Sequence, residues 1–215
     1  MRHILAVAAA LTACAAEAET RDITADVWVD NWFSVYANGD LVMEDPVSIT
    51  TERSFNAETA TFSVELPAVI AIEAKDFREN GSGLEYIGTN RQQIGDGGMI
   101  AQFKDAMSGD ILAVTDGDMK CLVVQFAPIK PSCADEANPV AGEGACGFVA
   151  IDVPADWTAP DFDDSDWPAA TVHSAADVGP KDGYDEIAWD DSAELVWGEN
   201  LKQDNTLLCR LTISG

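Results

Sequence analysis

Short apolar runs that end in turn residues recur along most of the chain. Segments such as "DITADVWVDNWFSVYANGD" and "AVIAIEAKD" are rich in β-branched and aromatic residues and end in Asn-Gly or Asp. The segment "NTLLCRLTI" alternates, which would place Leu207, Cys209, Leu211 and Ile213 on one face of a strand. No segment keeps a helical period over about ten residues. The pattern therefore predicts an all-β sandwich of about ten short strands, with helices of a single turn only.

The first eighteen residues have a different pattern. Arg2 and His3 precede an almost wholly apolar run, which ends at Ala16-Glu17-Ala18, a small-residue cleavage site. The run is shorter than the roughly 20 residues that span a bilayer. We therefore predict a signal peptide, residues 1–18, and one domain, residues 19–215. In the alternative, "LTAC" directs lipid attachment at Cys14 and anchors the chain to a membrane. Both interpretations predict export, either to the periplasm or out of the cell.

The cysteines agree with export. Without Cys14, four remain, and an even number in an exported chain indicates two disulfides. Three pairings are open from the sequence. We favour Cys133 with Cys146, across a loop rich in Pro, Gly and acidic residues, which leaves Cys121 to pair with Cys209.

The chain is strongly acidic, with a formal net charge of −26 at pH 7. Such a surface repels phosphate backbones and anionic membranes, which makes nucleic acid a poor partner. The charge fits a solvated acidic surface, and it also fits a protein that binds divalent cations.

The stretch "WTAPDFDDSDWPAA", residues 157–170, places four aspartates between two aromatic residues. Asp163, Asp164 and Ser165 are residue types that accept hydrogen bonds from free backbone amides at the start of a turn. Phe162 and Trp167 would then be buried by that turn. The alternative is a metal site or a catalytic carboxylate cluster.

This stretch resembles the W-x(3)-p-x-F-D-D-S-x-W-x-x-A signature of galactose-binding-like jelly-roll domains, which include non-catalytic sugar-binding modules of bacterial glycosidases. "DNWFSVYANGDLV", "AVIAIEAKD", "GGMIAQF", "VTDGDMKC" and "LLCRLTI" are similar to further segments of that family, in the same order. The resemblance implies a jelly-roll sandwich in which the F-D-D-S-x-W residues define the fold. It also implies sugar binding through loops at one end, often with one structural calcium ion.

The acidic segment at 177–191, "DVGPKDGYDEIAWDD", is the strongest candidate for a binding loop. Calcium takes six to eight oxygen ligands, often beside a glycine, and the candidate ligands are Asp177, Asp182, Asp185 and Glu186. Aromatic rings beside carboxylates also suit sugars, which points to Tyr184, Trp189 and Asp190 as ligand-binding residues. The alternative is an acidic surface loop that two aromatic residues anchor.

Catalytic machinery is sparse. His173 is the only histidine after the leader, and disulfide-bonded cysteines are not nucleophiles. We therefore expect an exported, non-catalytic protein that binds carbohydrate or glycan, with calcium as a structural ion. The alternative from another class is a structural or protein-interaction component of the cell envelope without a small ligand. A carboxylate-based hydrolase is a third hypothesis.

Overall fold

The computed structural model describes residues 19–49 and 57–215. The predicted leader, residues 1–18, and the candidate lipid-attachment residue Cys14 lie outside these described residues. The described chain contains fourteen strands, a four-residue α-helix and three short 3-10 helices. Two six-stranded antiparallel sheets make it an all-β sandwich, as the apolar pattern predicts.

The first sheet, sheet A, is built around the longest strand of the described chain. Its strands are β1 (Glu19–Asp30), β4 (Ala57–Leu66), β8 (Gly98–Asp105), β9 (Ile111–Val114), β12 (Thr171–Val172) and β13 (Val196–Trp197). Their order across the sheet is β12-β13-β8-β1-β4, and β9 also pairs with β8. Strand β1 therefore lies between β4 and β8, and its apolar side chains can face the core along its whole second half.

The second sheet, sheet B, contains the alternating segment near the end of the sequence. Its strands are β2 (Trp32–Ala37), β3 (Asp40–Glu44), β5 (Ala68–Lys75), β10 (Lys120–Phe126), β11 (Val149–Ala150) and β14 (Asp204–Ile213). They are ordered β11-β10-β14-β5-β2-β3. The turn between β2 and β3 has positive φ at Asn38 (49°) and Gly39 (94°), as expected for the Asn-Gly hairpin that the sequence predicts.

The remaining elements are short. Strands β6 (Leu84–Glu85) and β7 (Gln93–Ile94) form a separate hairpin. The helices are α1 (Ala175–Val178) and the 3-10 turns Pro131–Asp135, Gly144–Cys146 and Tyr184–Glu186. None exceeds five residues, which confirms the expectation of single-turn helices. Five of the fourteen strands contain only two residues, and the other nine are close to the ten short strands expected.

The main core lies between the two sheets and is filled by alternating residues. Along β14, Leu207, Cys209 and Ile213 are fully buried in this core, and Leu211 packs against it. The facing residues come from β1 and β8 of sheet A, including Val27, Met99 and Phe103, all fully buried. The predicted common face of the β14 residues is therefore confirmed.

The outer face of sheet B is covered by the segment with the F-D-D-S-x-W signature. Trp157 and Trp167 pack on Ala71, Val124 and Leu208, which point away from the main core. The Phe162 and Trp167 rings lie edge to face, with centroids 5.5 Å apart. The segment thus buries aromatic surface, as its structural interpretation predicts.

Arg210 of β14 holds this covering segment in place. Its side chain is 3 % exposed, and its Nε donates to Asp164 Oδ2 at 2.7 Å. Its other nitrogens donate to the carbonyl oxygens of Trp157, Ala159 and Phe162. One buried guanidinium therefore satisfies three backbone acceptors and one carboxylate of the same loop.

Both disulfides pair as predicted. Cys121 on β10 is bonded to Cys209 on the adjacent strand β14, 88 residues apart in sequence. Cys133 is bonded to Cys146, 13 residues apart, within the insertion after β10. The second disulfide packs with Leu84 as a small separate core. No helix among the described residues is long and apolar enough to cross a membrane.

We predict that the four disulfide cysteines resist alkylation in the unreduced, denatured protein and react fully after reduction, as mass spectrometry would show. Replacing Cys121 and Cys209 by Ser should destabilise the fold more than replacing Cys133 and Cys146. The reason is loop length: chain entropy assigns about 3 kcal/mol to a 15-residue loop and about 4.7 kcal/mol to a 100-residue loop. Equal decreases in the free energy of unfolding, measured by urea denaturation, would contradict this order.

We also predict that Asp164→Asn lowers the free energy of unfolding by about 2–3 kcal/mol, because the buried Arg210 charge loses its counterion. Asp163→Asn is the matched control, since Asp163 has no cation partner among the described residues and accepts from the side chain and the backbone amide of Ser165, the latter at 3.0 Å. Its loss should be about 1 kcal/mol or less. Urea denaturation at constant m-value measures both. Equal effects of the two substitutions would show that the ion pair contributes nothing.

Candidate functional site

The predicted aromatic ligand residues of the acidic loop are packed against sheet A. Tyr184 lies edge to face on Trp28, with ring centroids 5.7 Å apart, and Trp189 lies 5.9 Å from Tyr184. Trp28 Nε1 donates to the carbonyl of Asp182, and Trp189 Nε1 donates to the carbonyl of Tyr184. The rings therefore anchor the loop over the outer face of sheet A, which agrees with the alternative interpretation of a surface loop.

The predicted calcium ligands of this loop have exposed side chains. Asp177 accepts from the Ser174 hydroxyl at the start of α1, and Asp182, Asp185 and Glu186 lie at the surface. Asp190 accepts from the backbone amide and hydroxyl of Ser192, which lower the pKa of its carboxyl group. Among the described residues, no three Asp, Glu, His or Cys side chains are grouped to hold a metal ion. The loop site stays a prediction without support from the geometry.

The aspartates of the F-D-D-S-D-W stretch have structural partners. Asp164 pairs with Arg210, and Asp163 caps the turn through Ser165, which lowers the pKa of the Asp163 carboxyl. The His173 side chain also has a structural partner, because its Nε2 atom lies at hydrogen-bonding distance, 2.9 Å, from the carbonyl oxygen of Gly198. These residues, considered from the sequence as possible metal or catalytic groups, support the fold.

A cavity lies elsewhere, at the end of strand β5. Its volume is about 720 Å³, within the range of ligand-binding pockets. The lining combines apolar and charged side chains: Ile49, Lys75, Asp76, Phe77, Arg78, Glu79, Asn80 and Gly81. Seven of these eight residues are consecutive, because the chain leaves β5 and runs along the cavity wall before β6.

The charged side chains of this wall are held by neighbours. Lys75 Nζ lies 2.9 Å from Glu73 and 4.5 Å from the centroid of the half-exposed Trp32 ring. Glu79 Oε1 accepts from the backbone amide of Ile87 at 2.7 Å. Burial lowers the pKa of Arg78, and the charge of Asp76 opposes that shift. The wall therefore offers positioned hydrogen-bonding groups.

An exposed aromatic ring stands beside the cavity. The Phe148 side chain is 43 % exposed, and a Cβ atom on Gly81 would lie only 3.0 Å from its ring. Glycine at position 81 thus permits the ring to lie against the cavity wall. The cavity therefore combines polar side chains in its lining with an exposed apolar ring beside one lining residue, Gly81.

Two aspartates are buried in this region: Asp76 lines the cavity, and the charge of Asp30 acts on Asp76. Asp30 ends β1 and Asp76 directly follows β5, and each is 1 % exposed. Burial raises the pKa of Asp30 to about 8, with Asp96 and Glu85 adding to the shift. Burial also raises the pKa of Asp76 well above its ordinary value, and the charges of Asp30, Glu85 and Asp96 add to it.

Sequence reasoning did not identify these two aspartates as site residues. Asp30 lies inside the strand-rich segment "DITADVWVDNWFSVYANGD", and Asp76 is the last residue of the run "AVIAIEAKD". The available signal was the aromatic residue just beyond each of them, Trp32 and Phe77, because a continuing apolar run indicates that the acid itself is enclosed. Their meeting could not be foreseen, since it depends on how the two sheets pack.

No family model, curated protein or solved structure gives a significant match to this chain. The galactose-binding-like resemblance is thus untested by any comparison.

We predict that Trp189→Ala lowers the free energy of unfolding by about 2 kcal/mol, since a partly buried indole and its hydrogen bond are lost. The variant should also make the segment 177–191 more sensitive to limited proteolysis. Asp191→Asn, at an exposed position of the same loop, is the control. Unchanged stability and unchanged proteolysis of Trp189→Ala would show that the ring does not anchor the loop.

Proposed function

We propose that the protein is a non-catalytic binding protein and that its ligand is a carbohydrate or glycan held in the cavity beyond β5. The observation that carries this proposal is the composition of the cavity wall. Sugars present hydroxyl groups that need paired donors and acceptors, and C–H faces that pack on apolar rings. Hydrogen-bonding groups for the hydroxyls come from Lys75, Arg78 and Glu79. The apolar ring for a C–H face comes from Phe148.

The position of the cavity supports the same proposal. Loops or loop-anchoring aromatics cover both outer faces of the sandwich, at Trp157 and Trp167 on sheet B and at Tyr184 and Trp189 on sheet A. A ligand can therefore bind at the end of the sandwich while the loops that cover the two outer faces stay in place. The resemblance to galactose-binding-like domains also implies binding by loops at one end. Export, to the periplasm or beyond, belongs to the proposal, and the two disulfides favour an oxidising compartment.

A second candidate function has an observation of its own. Val149, Ile151 and Val153 are about half exposed, at 53 %, 48 % and 50 %, and lie on or next to the edge strand β11. Exposed apolar residues on a sheet edge are typical of protein-interaction surfaces. This surface favours an interaction component of the cell envelope, which is the alternative that the sequence left open.

A glycan array, followed by calorimetric titration with the best ligand, tests the first proposal. We expect Phe148→Ala and Arg78→Gln each to weaken binding at least tenfold, which corresponds to about 1.4 kcal/mol. Val172→Ala is the matched control for the ring, because Val172 is equally exposed, at 43 %, on strand β12. The Val172→Ala variant should bind the ligand with the same affinity as the wild-type protein.

Two outcomes would count against glycan binding at this cavity. One is an array without any hit, with and without calcium, which would favour the interaction surface at β11. The other is binding that Phe148→Ala and Arg78→Gln leave intact while the variants remain folded, as judged by thermal denaturation.

A further inference from the structure

The chain contains two Asn-Gly pairs, Asn38-Gly39 and Asn80-Gly81, and the fold holds them differently. In such a pair the backbone nitrogen of the glycine can attack the side-chain carbonyl carbon of the asparagine, because glycine has no side chain that shields this nitrogen. The attack expels ammonia and closes a cyclic succinimide. In a folded protein the reaction depends on how firmly the asparagine side chain and the glycine amide are fixed.

Asn38 is fixed at both ends of its carboxamide group. Its Nδ2 donates to the carbonyl of Glu65 at 3.0 Å, and its Oδ1 accepts from the backbone amide of Val69 at 2.9 Å. The backbone amide of Asn38 also donates to the carbonyl of Val69 at 2.9 Å. The side chain can turn toward the Gly39 nitrogen only after its own hydrogen bonds break, which opposes the reaction.

Asn80 is held by fewer contacts. It is exposed and lies in the connection between β5 and β6. Its Oδ1 accepts from the backbone amide of Ser82 at 2.9 Å, and this is the only side-chain hydrogen bond of Asn80 within the part of the chain that the structure describes. Its Nδ2, the nitrogen that would leave as ammonia, therefore has no partner there.

The neighbours of Asn80 favour the attack. Negative charge develops on Oδ1 when the Gly81 nitrogen adds to the Asn80 Cγ atom, and a backbone amide that already donates to Oδ1 stabilises that charge. Ser82 is fully buried, so this donor is fixed in place. The amide of Gly81 donates to no acceptor in the described residues, so it can lose its proton without breaking a hydrogen bond.

We propose that Asn80 is a site of spontaneous deamidation, which its turn permits and which Asn38 escapes. The Gly81 nitrogen forms a bond to Asn80 Cγ, and the Cγ–Nδ2 bond breaks. The released nitrogen leaves as ammonia with the proton that the Gly81 amide has lost. Water then opens the succinimide at either carbonyl carbon, which gives aspartate or isoaspartate at position 80. No oxidant or reductant takes part.

The modification changes the cavity beyond β5. Asn80 lines this cavity together with Arg78 and Glu79, so the reaction adds a carboxylate to the lining. Isoaspartate also lengthens the main chain by a carbon atom directly before Gly81, whose carbonyl accepts from Gln125 at 3.3 Å. The protein therefore has a new and an aged form, which differ in charge at the cavity. This inference does not rest on glycan binding, since only the chain and water react.

Incubation of the native protein at mildly alkaline pH, followed by peptide mass spectrometry, tests the proposal. The peptide with residue 80 should gain the mass difference between an amide and a carboxylic acid. The peptide with residue 38 should react at least about tenfold more slowly, because its hydrogen bonds must break first. Ion-exchange chromatography should resolve a more acidic form over the same period. In urea the two pairs should react at similar rates, since the folded geometry is lost.

Two variants isolate the site. Asn80→Gln keeps the carboxamide but lengthens the side chain, which disfavours ring closure, and it should abolish the acidic form. Asn90→Gln, at an exposed position between β6 and β7, is the matched control and should leave the acidic form unchanged.

Three outcomes would overturn the proposal. Equal rates at Asn80 and Asn38 in the native protein would show that the fold does not distinguish the two pairs. A reaction at Asn80 in urea alone would show that the turn protects it. An acidic form that persists in Asn80→Gln would place the reaction at another residue. Glycan binding can succeed or fail in the array regardless of these results, so the two proposals are tested separately.

Discussion

The guanidinium of Arg210 determines how the outer face of sheet B is covered. It is buried in the middle of β14, and a buried cation is tolerated only when its donors are paired. Asp164 and three carbonyl oxygens of the 157–162 segment provide that pairing. Because these acceptors are spread over one loop, the loop can take only the path that brings them to Arg210. Trp157 and Trp167 then reach the sheet surface, where they exclude water from the same hydrogen bonds.

The other end of β14 shows the opposite electrostatic situation. Near that end, Asn205 Nδ2 lies 3.2 Å from Asp76 Oδ2, and the Oδ1 atoms of both residues are buried and accept no hydrogen bond from the described residues. The same strand thus has a satisfied buried charge in its middle and an unsatisfied cluster at its start. Folding free energy is a small difference between large terms. An unpaired buried oxygen at the start of β14 therefore reduces that difference.

Much of the fold could be predicted, because it depends on local sequence. Alternation places Leu207 and Cys209 inward, Asn38-Gly39 forms the hairpin turn, and the signature with Phe162 and Trp167 forms a covering segment. Both disulfide pairings were also predicted correctly, although Cys121 and Cys209 are far apart in sequence. The candidate site was harder. Tyr184 and Trp189 look like ligand residues in the sequence, yet the Tyr184 ring packs on Trp28 and the Trp189 ring lies beside Tyr184. The cavity residues from Lys75 to Gly81 carry no motif. Packing between segments that are distant in sequence decides which aromatic residues remain exposed to a ligand.

The position of β14 has a consequence for how the protein reaches its native state. This strand lies between β10 and β5 in the middle of sheet B, yet it follows both of them in sequence. A nascent chain that has not yet supplied residues 204–213 leaves β5 and β10 with unpaired edges, Cys121 without its partner and the aromatic segment without its arginine. Sheet B can therefore assemble only after nearly all of this sequence is available, and a chain interrupted before β14 would expose two adhesive strand edges.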